Sequence, residues 1–348
     1  MMHRSSSVTL IIAALFVILL TWPYHRLSWE AIRTRAVSLR PNKGIPNTVH
    51  FIFLLKEPDD DFPFAFSHYL SVYSAWYYLQ PSTIYLHTDA GHGQIHRARQ
   101  GLAGKWAQLI MEMPGLIINR VKAPAQTNHG VEIVEMAHKS DFIRVHVLHK
   151  LGGVYMDFDV FFIHDARPLL TTGFESVSGR EPAGLMTAGI FFSRKRSTLL
   201  NLWMERMHQV FDGGWTTHSN GLMTRIGEQL IQQNRKLLVL DESAFTPVTW
   251  ESQGIKELLE VHDDVPSMLE HHSPGDKLAL LNHYDEPLPS WAINFNKSYS
   301  IHAFHIEEEG GNPVTPRKVL QRQSNIGRAL YPIVRNMYHR GLVSLDDE

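Results

Sequence analysis

The sequence predicts an α/β fold, an open and mostly parallel sheet flanked by helices and preceded by one N-terminal membrane helix. Three observations predict it. Strand-like and helix-like runs alternate through the first 165 residues, separated by Gly, Pro, Asn and Asp. One run, VYMDFDVFFI from Val154 to Ile163, is apolar on both faces apart from two aspartates, as in a strand covered by helices on either side. Near the start, Val8 to Leu20 (VTLIIAALFVILL) is almost entirely aliphatic.

Composition narrows the class further. At 348 residues the chain can bury one large α/β core or two small ones. Lys and Arg total 33 against 35 Asp and Glu, a net charge of -2 with no basic stripe, so no nucleic-acid partner is expected. Cysteine is absent, which excludes disulfides, thiolate zinc sites and a cysteine nucleophile. Histidines number 21, but none falls in an HExxH zinc pattern.

Taken in order, the chain opens with Ser5 to Tyr24, which carries no charge. Its apolar core suits a thin bilayer, with Trp22 and Tyr24 at the interface. The bulky TWPYHR that follows offers no small-x-small cleavage site, so an uncleaved anchor is expected. Charge counting points the other way on topology: Arg26, Arg33, Arg35 and Arg40 follow the span, against His3 and Arg4 before it. Residues 25–44 read as a polar stem. Ile45 to Leu55 is a proline-bounded strand, and Phe64 to Leu79 an aromatic-rich helix read as core packing. Ser82 to Asp89 and Leu116 to Lys122 are the next two strands.

From Val131 to Leu151 apolar residues recur at helical spacing, and Gly152-Gly153 supplies the left-handed stop. In that helix Asp141 and Arg144 share a face, either as a surface ion pair or as a ligand-facing pair. Asp157 and Asp159 then sit on one side of the buried strand, about 7 Å apart if it is extended and closer at a bend. Buried carboxylates cost several kcal/mol each unless compensated. A divalent cation held by carboxylate oxygens is the natural compensator. Asp89 and Asp157/Asp159 end their strands, where open α/β sheets collect ligands, and this points to a nucleotide site.

Beyond lie a buried run from Leu185 to Arg194, containing the small residues Thr187, Ala188 and Gly189, and a helix from Thr198 to Val210. Ser219 or Asn220 suits a helix N-cap. Tyr299 to His305 (YSIHAFH) reads as a last strand, preceded by the sequon Asn296-Lys297-Ser298. Glu307 to Gly311 is a polar loop, and from Val314 a basic, weakly amphipathic segment forms a C-terminal helix or tail.

The string S-D-x-x-R-x-x-x-L-x-x-x-G-G-x-Y-x-D-x-D, met by Ser140, Asp141, Arg144, Leu148, Gly152, Gly153, Tyr155, Asp157 and Asp159, resembles the signature of glycosyltransferase family 32. That family holds DXD sugar-binding enzymes such as fungal initiating mannosyltransferases and animal α-1,4-galactosyl- and N-acetylglucosaminyltransferases. Thr88-Asp89 is similar to the family's W-T-D strand end, Asn220 to Thr224 to its GPxxLT helix start without the Pro, and Tyr299 to His305 to its final YAVHxW strand. His50 and Phe51 occupy the region of its first strand, where the expected Trp is absent. The rival DxDx[TV] phosphatase pattern fails, because Phe161 stands at the last position.

The resemblance implies a GT-A type nucleotide-binding sheet and a retaining, metal-dependent hexosyl transfer. The donor would be a nucleotide sugar (GDP-mannose or a UDP-hexose), the acceptor a glycan or glycolipid. Asp159, Asp157 and His302, with His305 as the alternative, would hold Mn²⁺ or another divalent cation. Asp141, Arg144, Tyr155, Asp157, His50, Phe51 and Asp89 would bind the donor, and Asp157, Asp159 and Arg144 would serve catalysis. Residues 1–24 would be a cytoplasmic tip and signal anchor, 25–44 the stem, 45–312 the catalytic domain and 313–348 a C-terminal helical segment or tail. The body would be lumenal, in a single-pass type II protein of the Golgi or ER membrane. A catalytically silent, lectin-like or scaffolding subunit is the alternative.

Overall fold

In the computed structural model, which describes residues 44–271, 288–304 and 314–347, strands and helices alternate as the sequence predicts. The apolar N-terminal segment, the stem up to residue 43, the 307–311 loop and His305 lie outside the described residues, among which no helix is long and apolar enough to cross a membrane. β1 (Thr48–Phe53) leads through α1 (Phe66–Leu79) to β2 (Thr83–Thr88). Two short helices that periodicity does not reveal, α2 (His92–Arg99) and α3 (Lys105–Met111), lead on to β3 (Leu116–Arg120). Next come α4 (Met136–Leu151), β4 (Gly153–Met156) and β5 (Val160–Phe162), then β6 (Ser176–Arg180), β7 (Met186–Ser193), α5 (Thr198–Val210) and α6 (Asn220–Leu230). β8 (Leu237–Leu240), α7 (Glu242–Phe245), α8 (Ser252–Leu259), β9 (Ser300–His302), α9 (Pro316–Gln321) and α10 (Asn325–His339) complete the chain.

Seven strands form the main sheet in the order β3-β2-β1-β4-β7-β6-β8. β1 pairs in parallel with β2 and β4, β2 with β3, and β6 with β8, while β7 runs antiparallel to both neighbours. Helices cover both faces. One face packs α1 on a core that α10 extends, with Tyr69, Leu70, Tyr73, Leu330, Tyr331 and Val334, so the C-terminal segment is helical and buried against α1, α8 and α9. The other packs α4, α5 and α6 on a second core around Val145, Leu148, Trp203 and Ile226. Burying such side chains stabilises by about 1.5–3 kcal/mol each, which is what holds these helices to the sheet.

Two readings of the sequence change. The helix begins at Met136 rather than Val131, and Val131 and Val134 are exposed apolar residues of the preceding loop. The run from Val154 to Ile163 is not one strand. It breaks at Asp157-Phe158-Asp159, where β5 leaves the main sheet to pair antiparallel with β9. The two carboxylates cannot be covered on both faces of a sheet, whereas Phe158 between them packs against Phe51, Phe53, Phe64 and His68. β6 carries no apolar alternation because its inward positions are serines: Ser176 and Ser193 bond to each other at 2.8 Å across the β6–β7 pair.

Candidate active site

α4 delivers the first side chains. It ends at Gly152, whose φ of +70° is a left-handed value suited to glycine, and Gly153 follows at +121°. The helical turn places Ser140, Asp141 and Arg144 on one face, and all three line a cavity of about 700 Å³ at the carboxyl end of β4. Arg144 is buried, and both terminal nitrogens of its guanidinium are engaged. Nη1 donates to the Ala188 carbonyl at 2.8 Å, and Nη2 lies 3.2 Å from Asp141 Oδ1 and 3.3 Å from Asp157 Oδ1. Below it, the Tyr155 ring sits 4.4 Å from Cζ, and the Tyr155 hydroxyl donates to Asp157. Burial alone would lower the Arg144 pKa, but Asp157, with Tyr155, Asp141 and Asp159, overcomes it and holds the guanidinium above its ordinary value.

β4 ends one residue before Asp157, whose backbone N–H continues the ladder to the Gly189 carbonyl at 2.8 Å. After the turn, the Asp159 backbone carbonyl accepts from the Ala303 N–H at 2.9 Å, tying the motif to β9. β9 pairs His302 opposite Val160 and brings its Nε2 to 3.2 Å from Asp159 Oδ1. Single ligand atoms from Asp157, Asp159 and His302 all lie within 4.8 Å of one another. Two carboxylates and an imidazole are a donor set suited to a borderline or hard divalent cation.

Electrostatics agree with that fit. Burial pushes the Asp157 pKa up, Arg144 pulls it back and Asp159 pushes it up again. Burial would lower His302, but Asp159, Asp157 and Glu181 raise it above its ordinary value. The carboxylates gathered around His302 are surroundings that a metal ion would balance. The space is shaped as well. A Cβ on Gly189 would stand 2.6 Å from His302 Cε1 and 3.0 Å from Asp157 Oδ2, so only glycine fits there without displacing them.

Two residues of the site carry no signal in the sequence. Glu181, buried in the β6–β7 turn, accepts from Asn220 Nδ2 at 2.8 Å, and burial raises its pKa. His218, fully buried, holds Asp141 Oδ2 at 3.0 Å from its Nε2. Its loop is pinned by Trp203 of α5, whose indole N–H donates to the His218 carbonyl at 2.8 Å. At the rim Trp215 and Trp250 stand largely exposed, at 59% and 55%.

The structure does not bring every expected residue to the cavity. Asp141, Arg144, Asp157, Asp159 and His302 line it, while Tyr155 lies beneath Arg144. His50 and Phe51 are in the core, because the β1 register sets His50 opposite Tyr155 in mid-sheet, short of the strand ends. His50 belongs to a chain of imidazoles: Asn119 Nδ2 lies 2.8 Å from His87 Nδ1, His87 Nε2 lies 2.9 Å from His50 Nδ1, and His50 Nε2 lies 2.9 Å from the Gly152 carbonyl. Phe51 instead packs on Phe158 at 5.0 Å, buttressing the aspartate turn from behind. Asp89 accepts from the Leu55 N–H at 3.0 Å and joins the ends of β1 and β2.

With this geometry in view, the likenesses to known proteins can be placed. Residues 102–174 match the family model described as a glycosyltransferase sugar-binding region containing a DXD motif. Glucan organizing enzyme 1 of Cryptococcus neoformans var. grubii is 28% identical over 242 residues, which cover 64% of this chain and 61% of that protein. The chain therefore spans about three fifths of that relative's length. Among solved structures, the PaToxG glycosyltransferase is similar over 58% of this chain and 77% of its own, at 16% identity and a TM-score of 0.41. The apo form of the glycosyltransferase GlyE of Streptococcus pneumoniae is similar over 85% and 64%, at 10% identity and a TM-score of 0.41.

Proposed function

We propose, from the premise that residues 102–174 are a glycosyltransferase sugar-binding region containing a DXD motif, that this enzyme is a retaining, metal-dependent hexosyltransferase of the GT-A type. It moves a hexose from a nucleotide-diphosphate sugar, GDP-mannose or a UDP-hexose, to a hydroxyl of a glycan or glycolipid. The name of the 28%-identical relative, glucan organizing enzyme, supports a polysaccharide setting for the acceptor. The observation that carries the reading is the Asp157–Asp159–His302 cluster on the wall of a cavity of about 700 Å³, a size that suits a sugar nucleotide.

Asp157, Asp159 and His302 would hold a divalent cation such as Mn²⁺, which would supply Lewis-acid neutralisation of the charge on a departing diphosphate. The chain's own residues do the rest. Arg144, held charged and aimed by Tyr155, offers its cationic plane to donor oxygens. Asp141, fixed between Arg144 and His218, accepts from donor hydroxyls. The aspartates hold the donor so that the acceptor hydroxyl approaches the face the diphosphate leaves, and the anomeric configuration is kept.

The uncharged segment Ser5–Tyr24 supports a further reading, a membrane anchor; the family resemblance, against the charge count, favours a type II protein with its body in the Golgi or ER lumen. The test is to incubate the purified protein with Mn²⁺ and a panel of nucleotide sugars, with and without EDTA. EDTA-sensitive release of one nucleoside diphosphate is expected, with retained anomeric configuration in the product by proton NMR. Inverted product would overturn retention. No turnover and no Mn²⁺-dependent nucleotide binding would overturn the transferase reading.

A further inference from the structure

The aromatic stretch of α1 divides into two kinds of residue. Tyr69 and Tyr73 are buried in the core, but Trp76, Tyr77 and Tyr78, at the helix's C-terminal end, are only part-buried. These three wall a cavity of about 640 Å³, within the range of small-ligand sites. Its other side is polar and pre-set. Arg167 grips Asp165 with two bonds of 2.8 and 2.7 Å and donates to Gln80 Oε1 at 3.1 Å. Asn336 Oδ1 accepts from Tyr73 at 2.7 Å, and the Arg340 guanidinium stands 5.2 Å from the Trp76 ring. The Asp165 and Arg167 charges cancel, and Arg340 is turned onto an aromatic face, so the cavity presents no unpaired cluster of cations for a phosphate. Aromatic rings with a polar tip, set against planar amide, guanidinium and carboxylate groups, suit a ligand with apolar C–H faces and hydroxyl edges.

The place in the fold separates this cavity from the catalytic one. α1 has 14 residues, a length of about 21 Å at 1.5 Å per residue. Near its start His68 packs on Phe158, between the two aspartates, and Trp76 to Tyr78 follow eight to ten residues later, about 12–15 Å further along the axis. We propose that the cavity walled by Trp76, Tyr77 and Tyr78 is a second carbohydrate-binding site, which holds a neutral hexose chain apart from the catalytic cleft. The inference goes beyond the transferase reading and stands on different residues.

The test uses the full chain and two probes, a linear β-1,3-linked glucohexaose and an α-1,6-linked mannohexaose, with binding measured by calorimetry without donor. Wild type and Asp159→Ala are expected to bind one of the hexaoses equally well, and Tyr77→Ala/Arg167→Ala at least tenfold more weakly, with Mn²⁺-dependent nucleotide binding unchanged. Should the double variant melt early, Arg167→Ala alone decides, since that side chain is 46% exposed and its loss is expected to cost several-fold in affinity. Hexaose binding by the double variant within twofold of wild type overturns the proposal. So does loss of binding in Asp159→Ala, which would put the sugar in the catalytic cleft, or no binding of either probe at millimolar concentration. Hexaose binding with neither donor turnover nor Mn²⁺-dependent nucleotide binding would instead overturn the proposed function and leave this site standing.

Discussion

Arg144 is carried by α4 but aimed by Tyr155 of β4: the guanidinium carbon lies 4.4 Å from the ring centroid, and the ring's hydroxyl reaches Asp157. The helix and the strand are joined through Gly152 and Gly153, so one tight turn sets the register between the cation and the carboxylates it serves. Removing the cation should therefore hurt stability as well as activity. Arg144→Leu strands Asp141 and Asp157 without their partner, and breaking such a buried pair typically costs about 3–5 kcal/mol. Urea unfolding at pH 7 is expected to show that loss. Tyr155→Phe keeps the ring and drops only the hydroxyl, so about 1 kcal/mol with a clear fall in kcat is expected.

Asp159→Ala removes a cluster ligand that is 29% exposed, so the fold should hold while the metal is lost. With several kcal/mol of charge stabilisation gone, a fall of about 10³-fold in turnover is expected. Manganese EPR in the presence of nucleotide should show the lost site, and a melting curve the intact fold. A scaffold would behave differently, keeping its full biological role with this substitution in place.

Gly189→Ala tests the shape of the cluster rather than its chemistry. The new methyl meets His302 Cε1 at 2.6 Å and Asp157 Oδ2 at 3.0 Å, so both must shift. A drop in metal affinity of about 10- to 100-fold is expected, the size seen when groups that position ligands are disturbed. Wild-type affinity in this variant would mean that the cluster is not organised as described.

The imidazole chain predicts acid sensitivity. Burial lowers His50 to about 4 and His87 to about 3, in the latter with help from the charge of His50. In the unfolded chain both titrate near 6.5. The unfolded state therefore binds more protons below that pH, and the stability is complete above 6.5 and is lost as pH falls toward 4 and 3. At about 1.4 kcal/mol per unit, each imidazole should contribute a loss of about 3 kcal/mol between pH 7 and pH 4, on the order of 6 kcal/mol together. Urea midpoints across this range check it, and His87→Gln should flatten the slope.

The parts of this site that were legible in the sequence are those built from short-range geometry. Asp141 and Arg144 meet because a helix repeats every 3.6 residues, and Asp157 and Asp159 stand out because they interrupt an apolar strand. His302 lies 143 residues beyond Asp159, and only the likeness of its flanks to a family strand singled it out. Glu181 and His218 had no such flag. Each sits in a turn or loop, and each matters through partners far along the chain, Asn220 and Asp141. His50 and Phe51 show the converse, a pattern read as a site that the sheet register turns into core.

The break between β4 and β5 has a mechanical consequence. Asp157 is rooted in the seven-stranded sheet, while Asp159 and His302 belong to the two-stranded one. The cluster is thus a gauge across a seam, and its ligand spacing reads out how the two sheets sit. The aromatic packing of Phe51, Phe64 and His68 around Phe158 is the shim that sets this gap. Substitutions in that shim can detune the metal site without touching a ligand. The two-stranded ribbon, marginal on its own, is moored to α1 by Ser71 and Ser74, whose hydroxyls meet the Val160 carbonyl and the Phe162 N–H at 2.7 and 3.0 Å.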